Sequence, residues 1–450
     1  MSFRKILIFL FCFVSACSAP TTPTVAPTRA VITPPPPTQE TEATETPFVT
    51  PLPNSISFMV FGEPAEMEAY QILVDRFHEK NPNIPVELIR IPNQFAYRLR
   101  VDEDFVLGTP ADVMLINYRR FAKFAYKRQL EPLGSYLEKS SVIQPADFYP
   151  QTLDAFRWQK QLTCLPQNFS GLVVYFNKEL FDAANMPYPN ETWTWDDFLD
   201  AAKKLTRDTN GDGKNDQHGL GTEANLVRVA PFIWQNGGEI VNNQANPTRL
   251  VIDSPAAKET MQWLSELLIK NRVVPDANEE ILESFEMRFI NGRIGMFINS
   301  RRGVGLYREK AKFDWDVAPL PQGKSQANLL QADGYCLAAA SEHKESAWKL
   351  IEFASSPEGQ AILARAGRMV PTLKQVAESD AFLEPQMKPS SSRVFINALD
   401  TLRLFPIHPY WWDIEEIAGE NLERAFHGDI PVQEALDRAI NVTIPFFSKR

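Results

Sequence analysis

Two hydrophobic periods run along the chain. Residues 55–61 (SISFMVF) alternate, with Ile56, Phe58 and Val60 on one face and Ser57, Met59 and Phe61 on the other, which predicts a strand. Residues 66–80 repeat at helical spacing, with Tyr70, Leu73, Val74 and Phe77 on one side, and Asn81-Pro82 stops the run. A second strand follows at 86–91 and a helix at 94–107; residues 111–116 (ADVMLI) are a continuous apolar run of the kind a central parallel strand shows. Residues 162–166 and 171–177 read as extended. Thr194 and Asp197 form a capping box for a helix to Leu205 with Trp195, Phe198, Leu199 and Ala202 as its buried side. Ser254 and Pro255 open another, with Met261, Leu264 and Leu268 facing the core. Residues 293–298 are strand-like and 345–354 and 357–366 helical, the second stopped by Gly367, and the last helical stretch lies around 414–426. Strands alternating with helices of this length predict βαβ units and an open parallel sheet, an α/β fold. Ligands of such sheets sit beyond the carboxyl ends of the strands, which puts residues 62–66 and 117–120 at a binding edge.

Ahead of this patterned body the pattern breaks twice. Residues 1–17 (MSFRKILIFLFCFVSAC) carry a basic head, an apolar run too short to cross a bilayer, and small residues before Cys17. That order is a secretory signal, and a cysteine at the cleavage point resembles the lipobox of bacterial lipoproteins, with Cys17 as the lipidated residue; an ordinary signal with a chance cysteine is the alternative. Residues 18–53 are dominated by proline and threonine and lack periodicity, so they are expected to be a disordered tether with polyproline II character, reaching on the order of 100 Å when extended.

Composition adds little beyond exclusions. The chain has 450 residues and a formal net charge of −10, which argues against a nucleic-acid partner. After Cys12 and Cys17, two cysteines remain, Cys164 and Cys336, and they read either as a disulfide or as two buried thiols. No CxxC or Cys/His cluster suggests zinc. Five histidines are scattered (His78, His218, His343, His408 and His427), and no nucleophile elbow or HExxH appears.

In order along the chain stand SISFMVFGEPAEMEAYQILVDRFHEKNP, TPADVMLINYRRFAKFA, LPQNFSGLVVYFNKELFDAANM, TWTWDDFLDAAKKLTRDTNGDGKNDQHGL, APFIWQNGGEIV, FINGRIGMFINS, ADGYCLAAA and SPEGQAIL. This succession resembles the extracellular solute-binding proteins of carbohydrate ABC importers, the maltose-binding-protein-like group, over nearly all of residues 54–450. The resemblance implies a periplasmic-binding-protein-like fold of two α/β lobes joined by hinge strands, with a ligand cleft between them. It implies delivery of a sugar or oligosaccharide to ABC permease subunits by a monomeric protein that does no chemistry and requires no cofactor. With the lipobox, it implies an extracytoplasmic location and a lipid anchor in the cell membrane. The expected division is a first lobe of 54–164 plus a segment near 314–334, and a second lobe of 165–313 plus 335–450. Cys164 then lies at the first crossing between lobes and Cys336 near a later one, so a bridge between them would brace the hinge.

Sugar sites need flat aromatic faces and planar hydrogen-bonding side chains. The candidates are Glu66, Asn117, Tyr118, Arg119 and Arg120 from the first lobe, Asn168 and Ser170 past the hinge, Trp234 and Asn236 in FIWQNGG, and Asn299 and Arg302 after GMFINS. Tyr410, Trp411 and Trp412 match the region where the family places an aromatic platform. Arg119 stands where maltose-binding proteins have an acid, and Arg302 where they have an aromatic. Unless paired with acids elsewhere in the chain, these arginines suit an acidic or phosphate-bearing sugar better than neutral maltodextrin.

Asp208, Asn210, Asp212, Lys214 and Asp216 occupy the first, third, fifth, seventh and ninth positions of a calcium-type loop with Gly213 at the sixth. Gly219 stands where such a loop has its bidentate glutamate, so any structural calcium would be weakly held. Two other functions stay open at this level: an extracytoplasmic polysaccharide-active enzyme, which needs a placed carboxylate pair or a Ser/His/Asp set, and a sensory or adhesive surface protein built on the same body.

Overall fold

The computed structural model describes residues 55–449; the leader, Cys17 and the 18–53 tether lie outside the described residues. Two main sheets, of six and four strands, organise the body. In chain order their strands are β1 (Ile56–Phe61), β2 (Val86–Ile91), β3 (Val113–Asn117), β4 (Leu130–Glu131), β5 (Cys164–Pro166), β6 (Val173–Asn177), β7 (His218–Gly221), β8 (Ile294–Asn299), β9 (Trp315–Pro319) and β10 (Asp333–Ala338).

The first sheet runs β2-β1-β3-β10-β4, with β5 also on β10. Its β2-β1-β3 core is parallel, as the alternating pattern predicts, and β10 enters antiparallel to β3. Helix α1 (Pro64–Lys80) returns the chain from β1 to β2, and α2 (Gln94–Leu107) and α3 (Tyr118–Tyr126) flank β3. Phe58, Tyr70, Leu73 and Phe77 are buried between them, the apolar face read from the sequence.

The second sheet runs β7-β8-β6-β9, with β7 and β8 parallel and β6 and β9 antiparallel to their neighbours. Helix α4 (Trp195–Leu205) packs on β7 and β8, and α5 (Leu226–Gln235) packs on α6 (Pro255–Ile269). The Thr194/Asp197 capping box is formed. Here the expected division is reversed at two strands. Residues 315–319 belong to the second sheet and 333–338 to the first, because the segment between them is itself a crossing. Helices α7 (Lys344–Ala354) and α8 (Pro357–Arg365) pack on α1, back on the first sheet's side. Helix α9 (Trp411–Phe426) packs on α5 and α6 and touches α3, and α10 (Val432–Ser448) lies along α9. The sequence reading stopped at 426 and missed α10. Its apolar positions Ala435, Leu436, Ala439, Ile440 and Phe447 keep helical spacing and are buried, while Pro445 in its last turn breaks the ordinary helix signature.

The crossings between sheets lie side by side. Ser170 and Gln331 exchange backbone hydrogen bonds at 2.7 and 2.8 Å. The Asn328 side chain does the same for Leu172, accepting from its N–H at 3.0 Å and donating to its carbonyl at 2.8 Å. Cys164 and Cys336 face each other in register on β5 and β10 and form a disulfide, their Cα atoms 4.5 Å apart. That bridge joins two neighbouring strands of the first sheet at the root of the crossings rather than one lobe to the other. Among the described residues, no helix is long and apolar enough to cross a membrane.

Candidate functional site

The carboxyl ends of β1 and β3 face those of β7 and β8 across the crossings, and the space between them is a polar cleft. Three cavities in it share lining side chains, with Arg302 common to all three. The largest, about 470 Å³, reaches Arg119, Arg228, Asn299, Trp412 and Glu415. A second of about 130 Å³ reaches Glu66, Arg98, Asn117, Gln331 and Asp333, and a third of about 270 Å³ shares Arg368 with it.

The first wall is built by short-range geometry. Asn117 closes β3 and caps α3, its Oδ1 accepting from the Arg119 backbone N–H at 3.2 Å and from Arg119 Nε at 3.1 Å. Its Nδ2 donates to Asp333 Oδ1 at 3.1 Å, the residue opposite it in the β3/β10 register. The Arg119 guanidinium, 7% exposed, pairs with Glu415 of α9, which is equally sequestered. Burial pushes the Glu415 carboxyl up and Arg119 opposes it. At the start of α1, Glu66 pairs with Arg368 at 2.9 Å; burial outweighs that cation and lifts the carboxyl to about 7. Gly62 permits this approach, since a Cβ there would stand 2.8 Å from Glu66 Cβ.

The second wall begins where β8 ends. Asn299 is held by Tyr307, its Nδ2 donating to the phenol oxygen at 2.7 Å, and it accepts from Arg228 at 3.3 Å. A single 3-10 turn then sorts two adjacent arginines. Arg301 is fully buried, donating to the Gly367 carbonyl at 2.8 Å and to Ser392 at 3.0 Å, while Arg302 is exposed into the cleft. Arg302 makes no hydrogen bond or ion pair among the described residues.

Of the fourteen residues proposed from sequence, Glu66, Asn117, Arg119, Asn168, Ser170, Asn299, Arg302 and Trp412 line these cavities. The other six are elsewhere. Tyr118 is in the core, its hydroxyl accepting from the Phe405 N–H at 3.3 Å. Arg120 pairs with Asp102 at 2.8 Å in a neighbouring groove. Trp234 is buried against Phe405 beneath the Arg403 guanidinium, and Asn236 donates to the Ala256 carbonyl at 3.0 Å. The aromatic triplet splits as helical geometry requires, successive side chains pointing about 100° apart. Trp411 packs into the core on Phe405, Tyr410 lies by Lys449, and Trp412 alone reaches the cleft. Even Trp412 is not a bare platform, because Arg98, Arg119 and Arg120 lie over its ring at 4.4, 5.2 and 5.4 Å. Sequence reading missed Arg98, Arg228, Gln331, Asp333, Arg368 and Glu415. Asp333 could have been found as the first residue of the quoted ADGYCLAAA run's strand; the others sit in no local motif.

The calcium-type loop folds onto itself. Asp208 accepts from the Gly211 and Gly213 amides at 2.6 and 2.8 Å, and Asp216 from the Thr209 amide at 2.9 Å. A glutamate could not replace Gly219, where a Cβ would come 1.9 Å from the Ala202 carbonyl oxygen. Among the described residues no three His, Cys, Asp or Glu side chains gather as a metal site.

Comparison with known proteins agrees with this architecture. The galactooligosaccharide-binding protein of Bacillus subtilis is 20% identical over 376 residues, 80% of this chain and 82% of the relative. The ABC substrate-binding protein from Listeria monocytogenes in complex with cycloalternan has a TM-score of 0.79 at 27% identity, covering 87% of this chain and 99% of that one. An ABC transporter solute-binding protein from Thermotoga lettingae bound with α-D-tagatose has a TM-score of 0.76 at 20% identity, over 88% of this chain and all of that one (100%). These relatives are binding proteins of two-lobed fold, and a family model matches residues 62–361, from the exit of β1 into α8. The chain belongs to the bacterial extracellular solute-binding proteins.

Proposed function

We propose that this protein captures a carbohydrate in the cleft between its lobes, outside the cytoplasm, and hands it to an ABC permease. The observation that carries the reading is the cleft itself. It lies at the carboxyl ends of both sheets, is crossed by paired hinge segments, and is walled by planar amides, carboxylates and guanidinium groups suited to hydroxyls. The relatives' ligands, a galactooligosaccharide and cycloalternan, support a sugar here. Lipid on Cys17, read from the sequence alone, would hold the protein at the membrane. The test is calorimetric titration with an oligosaccharide panel, combined with small-angle scattering. A bound sugar should raise the melting temperature by several degrees at saturation and shrink the radius of gyration as the lobes close. A folded protein that responds to no sugar would sink the reading.

A further inference from the structure

Arg98 and Arg302 stand apart from the other arginines of the cleft. Arg119 has Glu415 and Arg368 has Glu66, but Arg98 and Arg302 have neither an ion pair nor a hydrogen bond among the described residues. They come from opposite walls, Arg98 from α2 and Arg302 from the turn after β8, and they line the same cavity. The Gln331 side chain lines it too, and its buried Nε2 has no acceptor. The Arg98 guanidinium lies over Trp412, its carbon 4.4 Å from the ring centroid, and its N–H groups have no acceptor among the described residues. Donors without acceptors therefore converge on one space. Two of the aromatic rings that line the cleft are at the same time approached by cations, Trp412 by Arg98 and Phe61 by Arg368, which leaves less of each open for a neutral sugar ring.

We propose that Arg98, Arg302 and the Gln331 amide form an anion clamp closed by the two lobes, and that the solute is a carbohydrate bearing a carboxylate or a phosphate. The inference rests on the carbohydrate reading above and specifies its ligand. The anionic group sits between the two arginines. The hydroxyl-bearing remainder extends into the largest cavity, where Glu223, Glu416, Glu420 and Glu423 accept from hydroxyls and repel a second anion. Burial lowers the Arg98 guanidinium to about 10, aided by Arg120 and Arg119 and only partly opposed by Asp333 and Glu416, and an anion there would relieve that cost.

The test is titration of the purified protein with matched pairs, trigalacturonate against galactotriose and maltose phosphate against maltose, with glycerophosphate as a non-sugar probe. At least one anionic member should bind about 10- to 100-fold tighter than its neutral partner, with an affinity that falls as salt rises. Which pair shows the gap distinguishes carboxylate from phosphate. Arg302→Gln should erase the gap, Arg302→Lys should keep part of it, and Arg98→Gln should reduce it. Arg302 is exposed and unpaired, so its variants should melt with the wild type and remain decisive if Arg98→Gln perturbs folding. Neutral members binding as tightly as anionic ones would overturn the clamp and leave the carbohydrate reading standing. Glycerophosphate bound with every sugar refused would keep the clamp and remove the carbohydrate. No binding by any probe would overturn both.

Discussion

The two walls of the cleft handle charge differently. On the first, three arginines are matched by acids: Arg119 by Glu415, Arg120 by Asp102, and Arg368 by Glu66. On the second, Arg228 leans on Glu223 at 3.9 Å and Arg302 is matched by nothing among the described residues. A guanidinium that is buried must be paired to be tolerated, whereas one at the rim of a wet cleft keeps its hydration until a ligand replaces it. The charges of the first wall are therefore mostly compensated within the fold, and the second leaves Arg302 uncompensated. The exception on the first wall is Arg98, which lies over the Trp412 ring and has no acid partner among the described residues.

The sharpest way to break this contrast is to remove one partner of the buried pair. Glu415→Ala should destabilise the protein by about 3–5 kcal/mol in denaturant titration, since it strands a buried guanidinium. Arg302→Gln should change stability by less than about 0.5 kcal/mol. Equal costs would show that the walls do not differ.

Next in size is the Cys164–Cys336 bridge, whose cysteines are 172 residues apart in sequence. Replacing both by serine should cost about 2–4 kcal/mol by loosening the root of the crossings. Because the bridge lies within one sheet, ligand preference should be unchanged. An altered preference in calorimetry would place the bridge in control of the cleft.

A smaller effect concerns Glu66. Its carboxyl is raised from 4.5 to about 7 in the folded protein, so the folded state holds the proton more tightly than the unfolded chain does. The resulting stability is complete below about pH 4.5 and is lost as the pH rises through about 7. Glu66→Gln lacks this titration. From pH 5 to 8 the wild type should lose on the order of 2 kcal/mol relative to the variant. Parallel pH profiles would mean that Arg368 holds Glu66 ionised throughout. Smallest of all, calcium or a chelator should move the melting temperature by less than about 1 °C, because the 208–216 loop is already closed by its own amides. A shift of several degrees would mean that the loop reorganises around the ion.

Local chemistry made much of the fold legible. The alternation of 55–61, the helical spacing of 66–80, the Thr194 cap and the apolar run into Asn117 each act over a few residues, and the structure forms each of them. The strand ends that line the cleft were legible for the same reason, because chain direction and βα connectivity decide where the carboxyl ends of the strands lie. The assignment of β9 and β10 was not, since two short apolar strands separated by a crossing carry no mark of which sheet they will join. Nor was the splitting of Arg301 from Arg302, which depends on Gly367 and Ser392 waiting on one side of a single turn.

The sequence by itself thus determined most of the elements, their order and the strand ends at which the cleft opens. Tertiary structure decided which charges the cleft presents. Arg119 looked free in the sequence because its partner, Glu415, is 296 positions away, and Asn117 reaches Asp333 across 216. Propensity, capping and periodicity are interactions between neighbours in the chain. The compensation of a buried charge is settled only when distant elements pack, and in this protein it separates a structural arginine from one that is free to bind.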